Sequence, residues 1–434
     1  MIEILIYIFI GSITVVVPII YFFHEKKKDR LAAEILQKSI ERGQDEPVSL
    51  HPYIDPDKCI GAGACAVACP EKNVLGLINN RGALIKPSNC IGHGQCQAAC
   101  PVDAITLVFG TEKRGVEIPH IQGTFETNVT GIYIAGELGG MGLIRNAIAQ
   151  GRQAVENITK SLKTHSEEMY DLVIIGAGPA GISASLQAKK DGLKFVTLDQ
   201  EDLGGTILSY PRKKLVMTQP VELPIYGKLN YREIKKEELL ELFSEVFHQT
   251  GLAVISGAKV NEIVKENGHF KTISSKGEYI SQKILLAIGR RGSPRKLEVP
   301  GEKSGKVSYR LLDPEKFSKM NILVVGGGDS AIEAAVALSE QKGNKVHLSY
   351  RKEAFFRLKE GNAQRIEEAI ENKKVLPLFN SQVKQIEKDK VIIEQSGQEI
   401  TINNDYVFVF IGGELPAELL NRAGIVFTRK FGEK

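Results

Sequence analysis

The stretch Tyr170–Gly181, YDLVIIGAGPAG, constrains what this chain can fold into more than any other. Leu172, Val173, Ile174 and Ile175 form an apolar, β-branched-rich run that predicts a buried parallel strand. Gly176, Gly178, Pro179 and Gly181 follow, and Ile182–Lys190 has helical character. In a strand–turn–helix unit the first glycine makes the tight turn and the second lets backbone approach a pyrophosphate. The third lets helix and strand pack closely, with the helix N-terminus facing the negative charge. A second strand, Lys194–Leu198, ends at Asp199, about 20 residues on, where an acid holds a ribose hydroxyl. The stretch predicts dinucleotide binding.

At 434 residues the chain is long enough for roughly two to four domains. Apolar content of 43% and charged content of 25% are ordinary for a globular protein. A net charge of +4 is too small for this length to argue for nucleic acid as a partner, and none is expected. All six cysteines fall between Cys59 and Cys100. They act as a local group and not as a scattered disulfide framework.

Residues Ile4–Phe23 carry no charge and have about the length that crosses a bilayer core. Tyr7, Tyr21, Phe22 and Phe23 sit near the ends, as interfacial aromatics do. A basic cluster, His24–Arg30, comes next. A cleaved signal peptide has its basic residues before the apolar core, the reverse of this order. The expectation is an uncleaved transmembrane anchor (1–23) in the cell inner membrane, single-pass, with the catalytic part cytoplasmic. Asp29–Arg42 reads as a helix leading to a Pro-containing linker, so that 24–56 forms a juxtamembrane helix and linker.

Two segments nearly repeat each other: Cys59-Ile-Gly-Ala-Gly-Ala-Cys65-Ala-Val-Ala-Cys69-Pro70 and Cys90-Ile-Gly-His-Gly-Gln-Cys96-Gln-Ala-Ala-Cys100-Pro101. Paired C-x2-C spacing, the usual zinc signature, is absent. Val74–Ile78 and Ala83–Ile85 flank Asn79–Gly82, a hairpin signal between the repeats. The duplication with Cys-Pro resembles the two-cluster bacterial ferredoxins, in which the fourth cysteine of each run ligates the other cluster. The family's second cysteine is Ala62 in one repeat and His93 in the other. The resemblance implies one iron–sulfur site from Cys59, Cys65 and Cys100, and another from Cys90, Cys96 and Cys69, with His93 at its fourth corner. Three thiolates suit a 3Fe–4S cluster, and an imidazole ligand would complete a 4Fe–4S cluster. His93 as a plain surface residue, and a ferredoxin-like domain (57–109) without clusters, remain open.

Phe125–Glu137 supplies a short apolar strand, Ile132–Ala135, then Gly136 and Glu137, and Met141–Ile158 shows helical spacing. This is similar to the closing FAD-binding motif of the thioredoxin-reductase-like flavoproteins, with Glu137 where the family has Asp. In that family the motif lies at the C-terminus, so the resemblance implies a circularly permuted FAD domain (110–312, returning at about 412–434), with a domain-swapped or truncated arrangement as the alternative. Asp202-Leu-Gly204-Gly205-Thr206 matches the family loop near the flavin. Leu208–Thr218 most resembles the bacillithiol-disulfide-reductase-like branch. Ile284–Pro294, which contains Gly289, matches the linker to a second nucleotide domain (313–411).

That second domain opens with another glycine fingerprint, Asn321–Glu333, carrying Gly326, Gly328, Asp329 and Ser330. Its next strand leads to no ribose-holding acid but to Arg351, Lys352 and then Arg357. Basic residues there suit the 2′-phosphate of NADP(H), since Arg binds phosphate bidentately; a solvated basic face is the other reading. Thioredoxin reductases place a C-x2-C just ahead of this fingerprint, but no cysteine follows Cys100. The expected fold is α/β, with two Rossmann-like three-layer nucleotide-binding domains for FAD and NADP. A small α+β ferredoxin-like domain and one transmembrane helix complete it. The expected activity is that of a membrane-anchored NAD(P)H-dependent oxidoreductase moving electrons between NADPH, FAD and iron–sulfur clusters and a small or protein redox partner. The alternatives are a low-molecular-weight disulfide reductase with a vestigial ferredoxin unit and a non-catalytic redox sensor or electron-transfer subunit. No general acid or nucleophile stands out, and the resemblance implies a homodimer.

Overall fold

The structure is a computed structural model describing all residues except 1, 42, 48–49, 72, 141, 163–167, 211, 213, 218–219, 232, 291–293, 356–357, 359, 414–415 and 433–434. At 2–6, 8–10, 12–13, 215, 217 and 360 it describes the backbone alone. The chain forms two compact units, Met1–Val116 with Lys430–Lys434, and Glu117–Arg429.

The first unit begins with α1, one helix from Ile2 to Glu41 that continues through Pro18. The juxtamembrane helix expected from Asp29 is therefore the second half of a longer element. Among the described residues no helix is long and apolar enough to cross a membrane. Next come β1 (His51–Ile54), α2 (Ala64–Ala68), β2 (Leu75–Ile78), β3 (Arg81–Leu84), α3 (Gln95–Ala98) and β4 (Ile105–Val108). β1 lies inside the stretch expected to be linker. It pairs antiparallel with β4, His51 opposite Val108, a contact too distant in sequence for a four-residue strand to announce. β2 and β3 form the predicted hairpin, with Leu75 opposite Leu84 and Ile78 opposite Arg81. Its turn is tighter than expected: Asn79 and Asn80 both adopt left-handed φ values, 52° and 56°. That is the two-residue turn whose twist matches the strands, and Asn tolerates it.

The second unit opens with β5 (Val116–Pro119), which pairs with the last strand, and continues with β6 (Ile132–Ile134), α4 (Ile144–Ser161), β7 (Tyr170–Ile175), α5 (Pro179–Lys190) and β8 (Phe195–Leu198). Four short strands follow, β9 (Leu215–Met217), β10 (Val221–Leu223), β11 (Gly227–Leu229) and β12 (Glu233–Lys235), then α6 (Lys236–Thr250). A meander of β13 (Val260–Glu266), β14 (His269–Ser274) and β15 (Gly277–Leu286) completes the first sheet. β15 is long enough to serve twice: its second half runs parallel to β7 on one side and to β6 on the other. β6 precedes the glycine loop in sequence yet lies in the same sheet. Leu172 and Ile174 of β7 face α4 and α5, while Val173 and Ile175 face the opposite layer with Leu420 and Ile425. Both faces are buried, so the strand reads as a continuous apolar run. Each fully buried Leu or Ile contributes about 1.5–3 kcal/mol.

The second nucleotide layer comprises β16 (Val307–Ser308), β17 (Asn321–Val325), α7 (Asp329–Ser339), β18 (Lys345–Tyr350), α8 (Glu360–Glu371) and β19 (Val375–Phe379). A meander follows, β20 (Ser381–Ile386), β21 (Lys390–Gln395) and β22 (Gln398–Asn403), then β23 (Tyr406–Val409), α9 (Ala417–Arg422) and β24 (Phe427–Lys430). The parallel sheet has the order β16-β23-β17-β18-β19. Beyond it the chain returns to the first sheet. The Asn128 side chain donates to the Gly424 carbonyl at 2.8 Å and accepts from the Val426 amide at 2.9 Å, just ahead of β6.

Candidate functional site

In the first unit two small cavities gather the cysteines. One is lined by Cys59, Cys65 and Cys100 with Ala62; the other by Cys69, Cys90 and Cys96 with His93 and Glu71. The structure thus brings the thiols together in the two crossed sets that the ferredoxin resemblance implies. All six are free thiols. Each loop turns on a glycine pair, Gly61 and Gly63 or Gly92 and Gly94, all with φ of 70–76°. A Cβ on Gly61 would stand 2.2 Å from the Asn80 carbonyl oxygen, which is why this wrap needs glycine.

The donor chemistry fits iron–sulfur clusters. Gly82 N–H points at Cys59 Sγ (3.3 Å) and Ala104 N–H at Cys100 Sγ (3.2 Å), hydrogen bonds of the kind that tune cluster potential. Burial pushes the Cys65, Cys69 and Cys96 thiols up and Cys90 up to about 11, with neighbouring thiols or Glu71 adding to it. In an empty site these four thiols would be protonated, and metal binding would drive the protons off. Among the described residues no three His, Cys, Asp or Glu side chains converge on a single-ion site. The thiols ring larger spaces instead.

In the second unit the predicted flavin residues converge. Gly176 has φ +107°, and a Cβ there would lie 2.4 Å from the Ala287 carbonyl oxygen. Gly181 is closer still: its Cβ would sit 1.8 Å from the Gly176 oxygen, so α5 can abut the strand only with glycine there. Gly178 precedes Pro179 at the first turn of α5. The Gly204–Thr206 loop lies against this turn, its Gly204 amide donating to the Ala177 carbonyl at 2.9 Å. A Cβ on Gly205 would meet Gly178 Cα at 3.0 Å. Gly289 sits where its Cβ would be 3.7 Å from Thr206 Oγ1 and 3.9 Å from Glu137 Oε2, so three separate motifs border one site. Gly136 takes φ +87° beside Ala180, and its amide donates to Gln150 Oε1 at 2.8 Å. Gln150 lies on α4, and nothing in its sequence context marks it.

Asp199 is buried at the end of β8. Its Oδ2 accepts from the Ala177 amide at 2.5 Å and its Oδ1 from the Glu201 amide at 2.8 Å. Burial holds its carboxyl above the usual range, against the lowering effect of those two amides. The carboxylate ties the loop to β8 and keeps lone pairs for a ribose hydroxyl.

At the second fingerprint Gly326 has φ +141° against the Phe410 carbonyl, and Gly328 caps α7 with open space around it. Asp329 and Ser330 form the first turn of α7. The Asp329 carboxylate accepts from Asn362 Nδ2 at 2.8 Å, and Asn362 also donates to Glu333, which pairs with Lys214. The Tyr350 ring covers the loop: a Cβ on Gly327 would stand 2.3 Å from it. Arg351 and Lys352 are exposed just beyond. Arg357 lies outside the described residues. Arg310–Glu201 and Arg212–Asp313 ion pairs also link the two nucleotide layers.

Two strand–glycine-turn–helix units in one body, with a separate unit carrying paired thiol cavities, define a dinucleotide-dependent redox protein with an iron–sulfur module. The pyridine nucleotide-disulphide oxidoreductase family model matches residues 173–432, and the chain belongs to that family. A 4Fe-4S dicluster domain model matches residues 51–101. The ferredoxin–NADP reductase of Ignicoccus hospitalis is 30% identical over 258 residues, 57% of this chain and 78% of the relative. That of Rickettsia canadensis is 34% identical over 194 residues, and there the chain spans only 54% of the relative's length. Among solved structures, bacillithiol disulfide reductase from Staphylococcus aureus is 26% identical, with a TM-score of 0.51 over 58% of this chain and 79% of that one. The chain is an FAD-dependent oxidoreductase with an iron–sulfur domain. Its family match begins at residue 173, after β6 and α4.

Proposed function

We propose that this chain moves electrons between NADPH and an external redox partner through FAD and two iron–sulfur sites of its own. The observation that carries the proposal is the crossed pair of thiol cavities on the same chain as two dinucleotide units. The relatives are named for reducing or oxidising a ferredoxin; here a dicluster unit is part of the reductase chain. Bound FAD supplies the interconversion of hydride and single electrons, and the clusters carry single electrons.

The chain's residues hold and orient. Gly176, Gly178 and the α5 N-terminus receive the flavin pyrophosphate, and Asp199 accepts a ribose hydroxyl. Glu137, Thr206 and Gly289 border the flavin. Gly326, Gly328 and the α7 N-terminus, with Asp329 held back by Asn362, receive the second pyrophosphate. Arg351, Lys352 and Arg357 read the 2′-phosphate. Ala62 leaves the first cavity with three thiolates, suiting 3Fe–4S, and His93 supplies the fourth ligand of the second. The position of β6 and α4 ahead of the glycine loop supports a circularly permuted FAD domain, and the homodimer of the family is carried over. The uncharged run 4–23, followed by the basic cluster and exposing Val15–Val17 and Ile19–Phe23, supports a single-pass inner-membrane anchor with the remainder cytoplasmic.

The test is NADPH oxidation with a one-electron acceptor protein before and after anaerobic iron removal. Loss of that activity with retained flavin supports the proposal; full activity without iron refutes it. Likeness to bacillithiol disulfide reductase favours a second reading, reduction of a small disulfide by the flavin. Iron-free protein retaining full disulfide reductase activity would establish it.

A further inference from the structure

We propose that the cavity of Cys59, Cys65 and Cys100 is the membrane-side electron port of this chain, and that it exchanges electrons with a lipid-dissolved quinone. The inference rests on the anchored reading of α1.

α1 is unbroken from Ile2 to Glu41, and its second half is fastened to the β2–β3 hairpin. The Asp29 carboxylate accepts the Asn79 amide at 2.9 and 3.1 Å. Gly76 lies so close that its Cβ would meet the Ala32 methyl at 3.0 Å. Ser39 Oγ donates to the Ile85 carbonyl at 3.1 Å. Taken in order, these contacts lay the hairpin along the helix with its tip toward the apolar half. Asp29 is six residues past Phe23, about 9 Å along the axis, and Ser39 is about 15 Å further.

The two cavities lie at opposite ends of that hairpin. The Cys59 cavity is at the tip: Gly61 packs on Asn80, Gly82 N–H reaches Cys59 Sγ, and Arg81 donates to the Cys59 carbonyl. The Cys90 cavity is at the base, where Val74 and Leu75 line it. With the apolar half of α1 in a bilayer, the first cavity faces the lipid surface and the second faces away. The surface around the first agrees. Ile60 is 61% exposed and Val67 88%, whereas their counterparts in the second repeat are the half-buried Ile91 and the small Ala98. Branched apolar side chains offered beside the tip suit the headgroup–acyl boundary, and a carrier dissolved there needs no docking protein. The net reaction balances. NADPH, one proton and quinone give NADP+ and quinol: two electrons pass singly through the iron–sulfur site, the hydride's proton is released to water at the flavin, and both quinol protons are taken from water at the membrane, a net uptake of one; the reverse uses the same route.

The experiment uses the full anaerobically purified chain in vesicles of phosphatidylcholine and phosphatidylglycerol carrying a gadolinium-chelate headgroup lipid. Cys59→Ser and Cys96→Ser proteins assign the two EPR signals. Dipolar relaxation falls with the sixth power of distance. The Cys59 site at the hairpin tip, nearer the headgroups, should therefore relax faster than the Cys96 site at its base, by about an order of magnitude if the two stand apart by about the 15 Å that separates Asp29 from Ser39 along α1. With ubiquinone-10 in the bilayer, Ile60→Glu lowers the ratio of quinone to ferricyanide reduction by about tenfold, the equivalent of about 1.4 kcal/mol. A chain that does not float with vesicles overturns the anchor and the port together. A vesicle-bound chain whose Cys96-site signal relaxes as fast or faster overturns the port alone. A membrane-near Cys59 site with no quinone reduction, active only with an added protein acceptor, overturns the quinone.

Discussion

Gly151→Ala separates local helix chemistry from the tertiary arrangement. Gly151 lies inside α4, and alanine in a helix interior is intrinsically better than glycine by about 0.5–1 kcal/mol. In an isolated helix the substitution would stabilise. In the structure, a Cβ at Gly151 would lie 2.1 Å from the Ala180 carbonyl oxygen and 3.1 Å from its Cα, in the first turn of α5. These are backbone atoms of the nucleotide loop and cannot rotate away. The two helices must separate, at an overpacking cost of about 1–3 kcal/mol. The sign therefore reverses. The α5 N-terminus is also the pyrophosphate seat, so flavin retention should fall by about 5- to 150-fold for the same range. Thermal unfolding with flavin-fluorescence detection and the FAD content after gel filtration measure both. Gly361→Ala is the control: Gly361 is exposed near the start of α8 with no atom within 4 Å of its Cβ position. It should be neutral or stabilise by up to about 1 kcal/mol. A Gly151→Ala protein as stable and as flavin-loaded as wild type would refute the packing of a segment that precedes the glycine loop against that loop.

Other outcomes follow from single residues. Arg351→Ala should raise the KM for NADPH by about 10- to 150-fold, from loss of a charge-assisted bond worth about 1.5–3 kcal/mol, and leave NADH unaffected; an equal effect on both removes the 2′-phosphate role. Asp199 has a raised folded-state pKa, so the folded chain holds that proton more tightly than the unfolded chain. FAD-free protein should lose stability as pH rises from the ordinary Asp value through the raised one, and Asp199→Asn should flatten that slope; an unchanged slope refutes it. His93→Ala should alter the EPR spectrum of the Cys69/Cys90/Cys96 site alone, and an unaltered spectrum excludes His93 as a ligand.

The parts legible in the sequence are those with local periodicity or duplication. Both glycine fingerprints fall on strand–turn–helix units because Gly176 and Gly326 must turn against the backbone of a neighbouring strand's end, which only glycine permits. The crossing of the cysteine sets was legible only through the ferredoxin resemblance; in the structure α2 and α3 each carry one thiol inward and end beside another that lines the opposite cavity. The illegible parts depend on contacts distant in sequence. β1 exists because His51–Ile54 meets Ile105–Val108. Gln150 holds Gly136 from a different element, and the Tyr350 ring closes over Gly327 from the next strand. The grip of Asp29 on Asn79 has no local signal either, because a carboxylate in a helix is ordinarily a solvated one.

The most direct test of electron flow from dinucleotide to the chain's own thiol sites is rapid freeze-quench EPR after mixing the anaerobic protein with NADPH, with flavin absorbance followed in parallel. The iron–sulfur signals should change within a single turnover, following the flavin, and Cys59→Ser or Cys96→Ser should remove one of them. Flavin reduction at full rate with iron–sulfur signals unchanged through many turnovers would contradict that electron flow.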